Sequence, residues 1–212
     1  MANKSLQHSS LTDNIFYRSM LAGNDAFFPE FESDDFLEEV VLSSAASSVT
    51  FSSLGTYATA GYKHLQIRMV AKTDYAVTQE TVYAYLVPRV GSLPNYRWHS
   101  LSGNGSSVTS TEQGFESASG IKVAQINGTQ QTNQFGVAVI DILDAFSTTK
   151  NTTTRSLTGM IDSTNDAYAK KEITLFSGVL FSTAAVSDIS LSGQYGGNFI
   201  AGSRFSLYGS KG

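Results

Sequence analysis

Short segments in which apolar and polar residues alternate recur from residue 37 to the end of the chain. In the clearest of them, residues 62–70, Leu65, Ile67 and Met69 would lie on one face and the polar residues between them on the other. Residues 81–87 repeat the pattern. A period of two is the signature of a β-strand with one buried face, and it excludes an amphipathic helix.

Turn residues separate these segments throughout, including Asn104-Gly105 and Asn127-Gly128. Many short strands between such turns predict an all-β protein, a single β-sandwich of jelly-roll-like form over residues 37–212. Residues 135–142 are almost continuously apolar, which predicts a strand buried on both faces. One helical turn is expected in this body, near residues 141–146. The predicted strands are 37–42, 49–51, 62–70, 81–87, 96–101, 121–126, 135–142, 153–160, 172–181, 186–191 and 199–208.

Residues 1–36 have a different character, because aromatic residues stand among acids without a sustained period. Residues 14–21 favour a short helix, and Phe28-Pro29 favours extended backbone after it. We interpret this segment as an N-terminal extended arm whose aromatic side chains bury against something else. The arm packs on its own body or reaches a neighbouring subunit, and we favour the second. The candidate anchors are Phe16, Tyr17, Phe27, Phe28, Phe31 and Phe36.

The low charge and proline content fit a protein that assembles with others, and the low charge fits a domain with a Ser/Thr-rich surface equally well. Only 15% of residues are charged, against about 25% in an average protein. Three prolines leave most strand edges open to pairing with another chain, so a homo-oligomer is expected. Residues 1–40 carry eight acids against Lys4 and Arg18, and the rest of the chain is nearly balanced. No cluster of Lys and Arg is present to neutralise phosphates, so nucleic acid is not an expected partner.

The sequence offers little catalytic chemistry. It has no cysteine and three scattered histidines, and it lacks nucleotide-binding glycine motifs and a nucleophile elbow. Asp141 and Asp144 are better explained as turn residues than as a glycosidase pair. Residues 162–166 hold oxygen ligands but lack the pattern of a calcium loop. We expect no enzyme, cofactor or metal. Residues 1–8 do not suggest a secretory leader, and no apolar run suggests a membrane span.

Four aromatic residues raise a second class of function. Tyr83, Tyr85, Tyr96 and Trp98 fall at alternating positions of two predicted strands. On one surface they would form a stacking platform for sugar rings. Such residues are more often cross-strand packing pairs, so carbohydrate binding for host adhesion is the lesser alternative.

Several segments, in order along the chain, resemble short virion proteins encoded by tailed bacteriophages, especially marine ones. They are 49–51 with 62–68, 96–105, 135–144, 150–159 and 205–212. The arm is an addition to that pattern.

The resemblance implies a structural component of the phage particle, made in the cytoplasm of the host bacterium. Its expected partners are other virion proteins: the major capsid protein, or tail and portal components. The first functional hypothesis is decoration or cementing of the capsid, and the second is attachment to the tail or its fibres.

Overall fold

A computed structural model describes residues 34–77, 79–87, 96–113, 120–129, 133–161 and 171–211. Its elements are β1 (Asp35–Val41), β2 (Ser48–Phe51), α1 (Gly55–Thr59), β3 (His64–Ala71), β4 (Gln79–Val87), β5 (Tyr96–Gly103), β6 (Val108–Glu112), β7 (Ile121–Asn127), β8 (Gly136–Leu143), β9 (Thr152–Ile161), β10 (Lys171–Leu180), β11 (Asp188–Gly193) and β12 (Arg204–Ser210). In this part of the chain no helix is long and apolar enough to cross a membrane.

The strands form two antiparallel sheets packed as a sandwich. The large sheet has the order β1-β12-β3-β8-β9-β10-β5-β6, and the small sheet has the order β2-β11-β4-β7. Strands β1, β12, β3 and β8 of the large sheet, together with the small sheet, have the alternating order of a jelly roll. The predicted all-β, jelly-roll-like sandwich is confirmed.

Two additional strand pairs widen the large sheet. Strands β5 and β6 lie between β4 and β7 in the chain, and β9 and β10 lie between β8 and β11. Both pairs join the large sheet beyond β8, so it has twice as many strands as the small sheet. The Asn104 side chain shapes the β5–β6 turn, because its Oδ1 accepts from the backbone N–H groups of Ser106 (2.9 Å) and Ser107 (2.8 Å).

The hydrophobic core lies between the two sheets. The inward residues of β3, Leu65, Ile67 and Met69, are buried as the alternation predicts. Phe199 and Phe205 meet edge to face with ring centroids 5.0 Å apart. Burial of each such side chain stabilises the fold by roughly 1.5–3 kcal/mol.

Strand β9 reverses the usual pattern, because four of its five buried inward residues are hydroxylic: Thr152, Thr154, Ser156 and Thr158. The hydroxyl of Ser156 donates to the carbonyl of Val123 (2.6 Å), and that of Thr158 donates to the carbonyl of Gln125 (2.9 Å). Both carbonyls belong to β7, the last strand of the small sheet. The β9 hydroxyls therefore satisfy backbone groups of a strand that is paired on one side only.

Several details of the sequence prediction are wrong. Strand β8 is buried on one face only, since Val137 and Val139 point away from the core. Residues 141–143 belong to β8 and lead into a turn, where Asp144 has a φ of 54°. The structure adds two elements that the pattern did not predict, α1 and β6.

Candidate assembly surface

The face of the large sheet that points away from the small sheet carries exposed apolar residues in two cross-strand rows. The register places Val70, Val137, Gly159, Ile173, Gly103 and Val108 in one row. The neighbouring row contains Val139, Leu157, Leu175 and Leu101. We call these ten residues the outer apolar band. Its eight large side chains are 40% to 71% exposed.

The outer apolar band is wide for an exposed surface. It crosses β3, β8, β9, β10, β5 and β6, about 24 Å at the usual strand spacing. Two rows deep, it covers about 300 Å², the size of the largest apolar patch on many monomeric proteins, and such a patch is often a functional surface.

A hollow of about 450 Å³ extends from β12 across β3 and β8 into the band. Its lining includes Val70, Val137, Leu157, Gly159 and Ile173, together with the polar residues Arg68, Arg204 and Ser206. A Cβ atom at Gly159 would meet only a Val137 methyl group, at 3.8 Å. The space above Gly159 is therefore open because this residue has no side chain.

A hydrogen-bonded polar chain borders the band. Arg68 Nε donates to Gln66 Oε1 (2.8 Å), and Gln66 Nε2 donates to Asp141 Oδ1 (2.8 Å). Asp141 Oδ2 accepts from both Nε (3.1 Å) and Nη2 (2.8 Å) of Arg155. Two donors on one oxygen orient the guanidinium, and the chain links β3, β8 and β9 through side chains.

Opposite charges pair on this face. Arg68 Nη2 lies 3.2 Å from Asp34 Oδ2. Arg204 Nε lies 3.7 Å from Glu39 Oε1. With the pair of Asp141 and Arg155, three arginines meet three carboxylates. These three pairs therefore contribute no net charge to the polar border.

The predicted arm residues lie mostly outside the described part of the chain: Phe16, Tyr17, Phe27, Phe28 and Phe31. Phe36 lies within β1, where it is 60% exposed. Its ring contacts that of Tyr208 edge to face, with centroids 5.7 Å apart. The first described strand therefore begins at Asp35, inside the range predicted for the arm.

The four aromatic residues of the predicted sugar platform do not form an open surface. Tyr96 and Trp98 point into the sandwich and are buried, and Tyr83 is buried on the other sheet, while Tyr85 is half-buried. The Tyr96 hydroxyl donates to the carbonyl of Leu86 (2.7 Å). The ammonium of Lys122 lies 4.3 Å from the Trp98 ring centroid, and burial lowers the pKa of this lysine. These rings stabilise the fold.

The acidic candidates have structural partners. Asp141 belongs to the polar chain, and Asp144 Oδ2 lies 3.1 Å from Lys150 Nζ. Residues 162–166 lie outside the described residues. Among the residues that the structure does describe, no three Asp, Glu or His side chains come together as metal ligands.

The outer apolar band was not predicted from the sequence, although the residue pattern of β8 and β9 contains a signal for it. In both strands apolar residues stand where a one-sided strand would be polar, at Val137, Val139, Leu157 and Ile161. In β9 the intervening residues are Ser and Thr, so the pattern indicates a strand whose apolar side faces outward.

Comparison with known protein families, curated proteins and solved structures finds no match to this chain.

Proposed function

We propose that this chain is a structural virion protein of a tailed phage, most specifically a capsid decoration or cement protein. The observation that carries the assembly role is the outer apolar band. Eight large apolar side chains in register on a solvent-facing sheet favour a second protein surface over permanent contact with water.

The virion setting rests on a different argument. Ordered segments between residues 49 and 212 resemble phage virion proteins. Jelly rolls occur in viral capsid proteins, but also in lectins and cupins, so topology alone does not select a function. The buried state of Tyr83, Tyr96 and Trp98 makes the lectin reading weaker.

Residues 1–33 are the part of the predicted arm that lies outside the described residues, and they are called the leader below. The leader provides a second candidate contact. It contains five of the six proposed anchor aromatics together with four acids. Aromatic side chains are favoured anchors at protein interfaces, because each buries a large area with few rotatable bonds. In this proposal the leader binds another virion protein and the β-sandwich covers the particle surface.

Immunogold labelling of intact particles tests the proposal. An antibody against the β-sandwich should label the head of a phage that encodes this chain. Labelling of the tail would reject capsid decoration and support the tail-attachment hypothesis. Purified particles that lack the protein by mass spectrometry would overturn the virion role.

The contribution of the leader is tested with the triple variant Phe27→Ser, Phe28→Ser, Phe31→Ser in the full chain. We expect a large loss of incorporation into particles while the urea unfolding midpoint stays unchanged. The matched control replaces Ser5, Ser9 and Ser10 with alanine in the same segment. Equal incorporation of both variants would contradict an anchoring leader.

A further inference from the structure

We infer that the outer apolar band seats the same band of a second copy of this chain, in a twofold-symmetric dimer. This inference deepens the proposed assembly function and rests on it, because it names one partner of the exposed face. The axis lies in the plane of the interface, crosses the strands, and passes between the two apolar rows.

The outer face of β9 supports this position of the twofold axis. Leu157 projects from the outer face, and Gly159, two residues later on the same face, leaves a hollow. A twofold axis across the strands keeps β9 of one copy over β9 of the other but reverses its direction. The row of Gly159 then faces the row of Leu157. Each Leu157 side chain therefore fills the hollow above Gly159 of the other copy.

The neighbouring positions follow the same exchange. On β10, Leu175 of each copy faces Ile173 of the other, and on β8, Val139 faces Val137. The contacts on β8, β9 and β10 are apolar on both sides, and on β3 the same exchange places Arg68 of each copy opposite Val70 of the other. A twofold interface needs a self-complementary surface of this kind, since the same patch is used twice.

Charge does not oppose the contact. Two identical faces repel each other when each carries a net charge. Here Arg68, Arg155 and Arg204 each have a carboxylate partner within their own chain, at 3.2, 2.8 and 3.7 Å. The paired face can approach its own copy without leaving an unpaired guanidinium at the border.

The available area is that of a small interface. A polar row that contains Gln66, Asp141 and Arg155 borders the band on one side, and three rows across six strands cover about 24 Å by about 20 Å, or about 500 Å². Two such faces bury about 1,000 Å² in total, which is the lower limit for a specific interface and fits a dimer that dissociates at micromolar concentration. Two twisted antiparallel sheets also pack face to face readily, with strand directions within about 30° of each other.

Sedimentation velocity of the purified full chain over a micromolar concentration series tests the dimer. The wild type should dimerise. Leu157→Asp places a charge in the hollow of the other copy and should raise the dimer dissociation constant about tenfold or more. Thr153→Asp is the matched control, because Thr153 is exposed on the same face of the same strand outside the band. It should dimerise like the wild type.

A second pair of variants tests the fit between Leu157 and Gly159. Gly159→Leu fills the hollow from within its own chain, where a Cβ has room, and should weaken the dimer while the urea midpoint is retained. Thr153→Leu adds the same side chain outside the band and should have no effect. The double variant Leu157→Gly, Gly159→Leu exchanges projection and hollow and should restore dimerisation.

A wild type that stays monomeric throughout the series would overturn the inference. A dimer that Leu157→Asp leaves intact would overturn it as well. Failure of the double variant to recover, with its fold retained, would reject the twofold arrangement. These results are independent of the virion role: a monomer found in particles refutes the dimer alone, and a dimer absent from particles refutes the proposed function alone.

Discussion

The guanidinium carbon of Arg68 lies 4.2 Å from the centroid of the Tyr208 ring, across the β3–β12 ladder. The same side chain donates to Asp34 and to Gln66, and the Tyr208 ring also contacts Phe36. Arg68 thus connects the start of β1 with the polar chain beside the outer apolar band. One side chain holds an edge strand and borders the proposed interface.

Replacement of Arg68 by alanine should lower the free energy of unfolding by about 0.5–1.5 kcal/mol, because a cation–π contact and an exposed ion pair are lost together. Urea unfolding measures the change, and high salt should reduce the difference between variant and wild type. Lys150→Ala is the control, since it removes one exposed ion pair without an aromatic partner. An Arg68 variant no less stable than this control would contradict the connecting role.

A second expected loss of stability concerns Tyr96, whose buried hydroxyl links β5 of the large sheet to β4 of the small sheet. Tyr96→Phe keeps the ring but removes the donor, which should cost about 1–2 kcal/mol. The control is Tyr195→Phe, because Tyr195 is exposed and stacks on Tyr75. Thermal and urea unfolding of both variants decide the point. Equal stabilities would mean that the Tyr96 hydroxyl contributes nothing to sheet packing.

The β-sandwich could be predicted from the sequence because, in a strand with one buried face, apolar residues recur at every second position. The alternation around Leu65, Ile67 and Met69 describes β3 correctly, and Asn104-Gly105 marks the β5–β6 turn. The order of the strands within each sheet could not be predicted from the sequence. The pairing of β1 with β12 joins residues far apart in the chain, and alternation gives no information about which strands become neighbours.

The sequence contained a signal for the outer apolar band, but that signal was interpreted as burial within the chain. An apolar residue on a strand indicates that the side chain will be covered, but it does not indicate by which molecule. Val137 and Val139 were therefore assigned to burial within the chain, whereas their neighbours on β9 and β10 continue the outer apolar band. Conversely, Trp98 and Tyr96 were candidates for the surface because aromatic residues serve both at binding sites and in cores.

A third prediction concerns Glu80, a fully buried residue of β4. Its Oε1 accepts from the backbone N–H of Tyr195 (3.1 Å), and Oε2 has no hydrogen-bond partner among the described residues. Burial raises the pKa of this carboxyl above its ordinary 4.5, although hydrogen bonds from the Tyr195, Gln194 and Thr81 backbone oppose the rise.

The folded protein therefore retains the Glu80 proton at pH values where the unfolded chain has lost it. Its contribution to stability falls as pH rises from 4.5 through the raised pKa and is then constant. Asp74 and Asp188 act oppositely, because their lowered pKa values remove stability only as pH falls below about 3.8. Measurements above that range exclude the contribution of these two aspartates.

Glu80→Gln should remove this loss of stability, since the amide keeps an acceptor for the Tyr195 N–H and does not ionise. Urea midpoints at about pH 5 and about pH 8 should show the variant gaining on the wild type at the higher pH. Glu112→Gln, on exposed β6, is the matched control. A constant difference between Glu80→Gln and wild type would show that Glu80 does not titrate in this window.

Two glycines on opposite faces of the large sheet give the last prediction. A Cβ at Gly178 would clash with Ile121 Cγ2 and lie 2.9 Å from Thr154 Oγ1, because β7 packs closely there. Gly178→Ala should therefore destabilise the protein by about 1–3 kcal/mol. Gly159→Ala meets no such contact and should be neutral or slightly stabilising, since alanine restricts the unfolded chain. Equal destabilisation by both substitutions, measured by urea unfolding, would contradict both the close approach of β7 and the open hollow on the outer face.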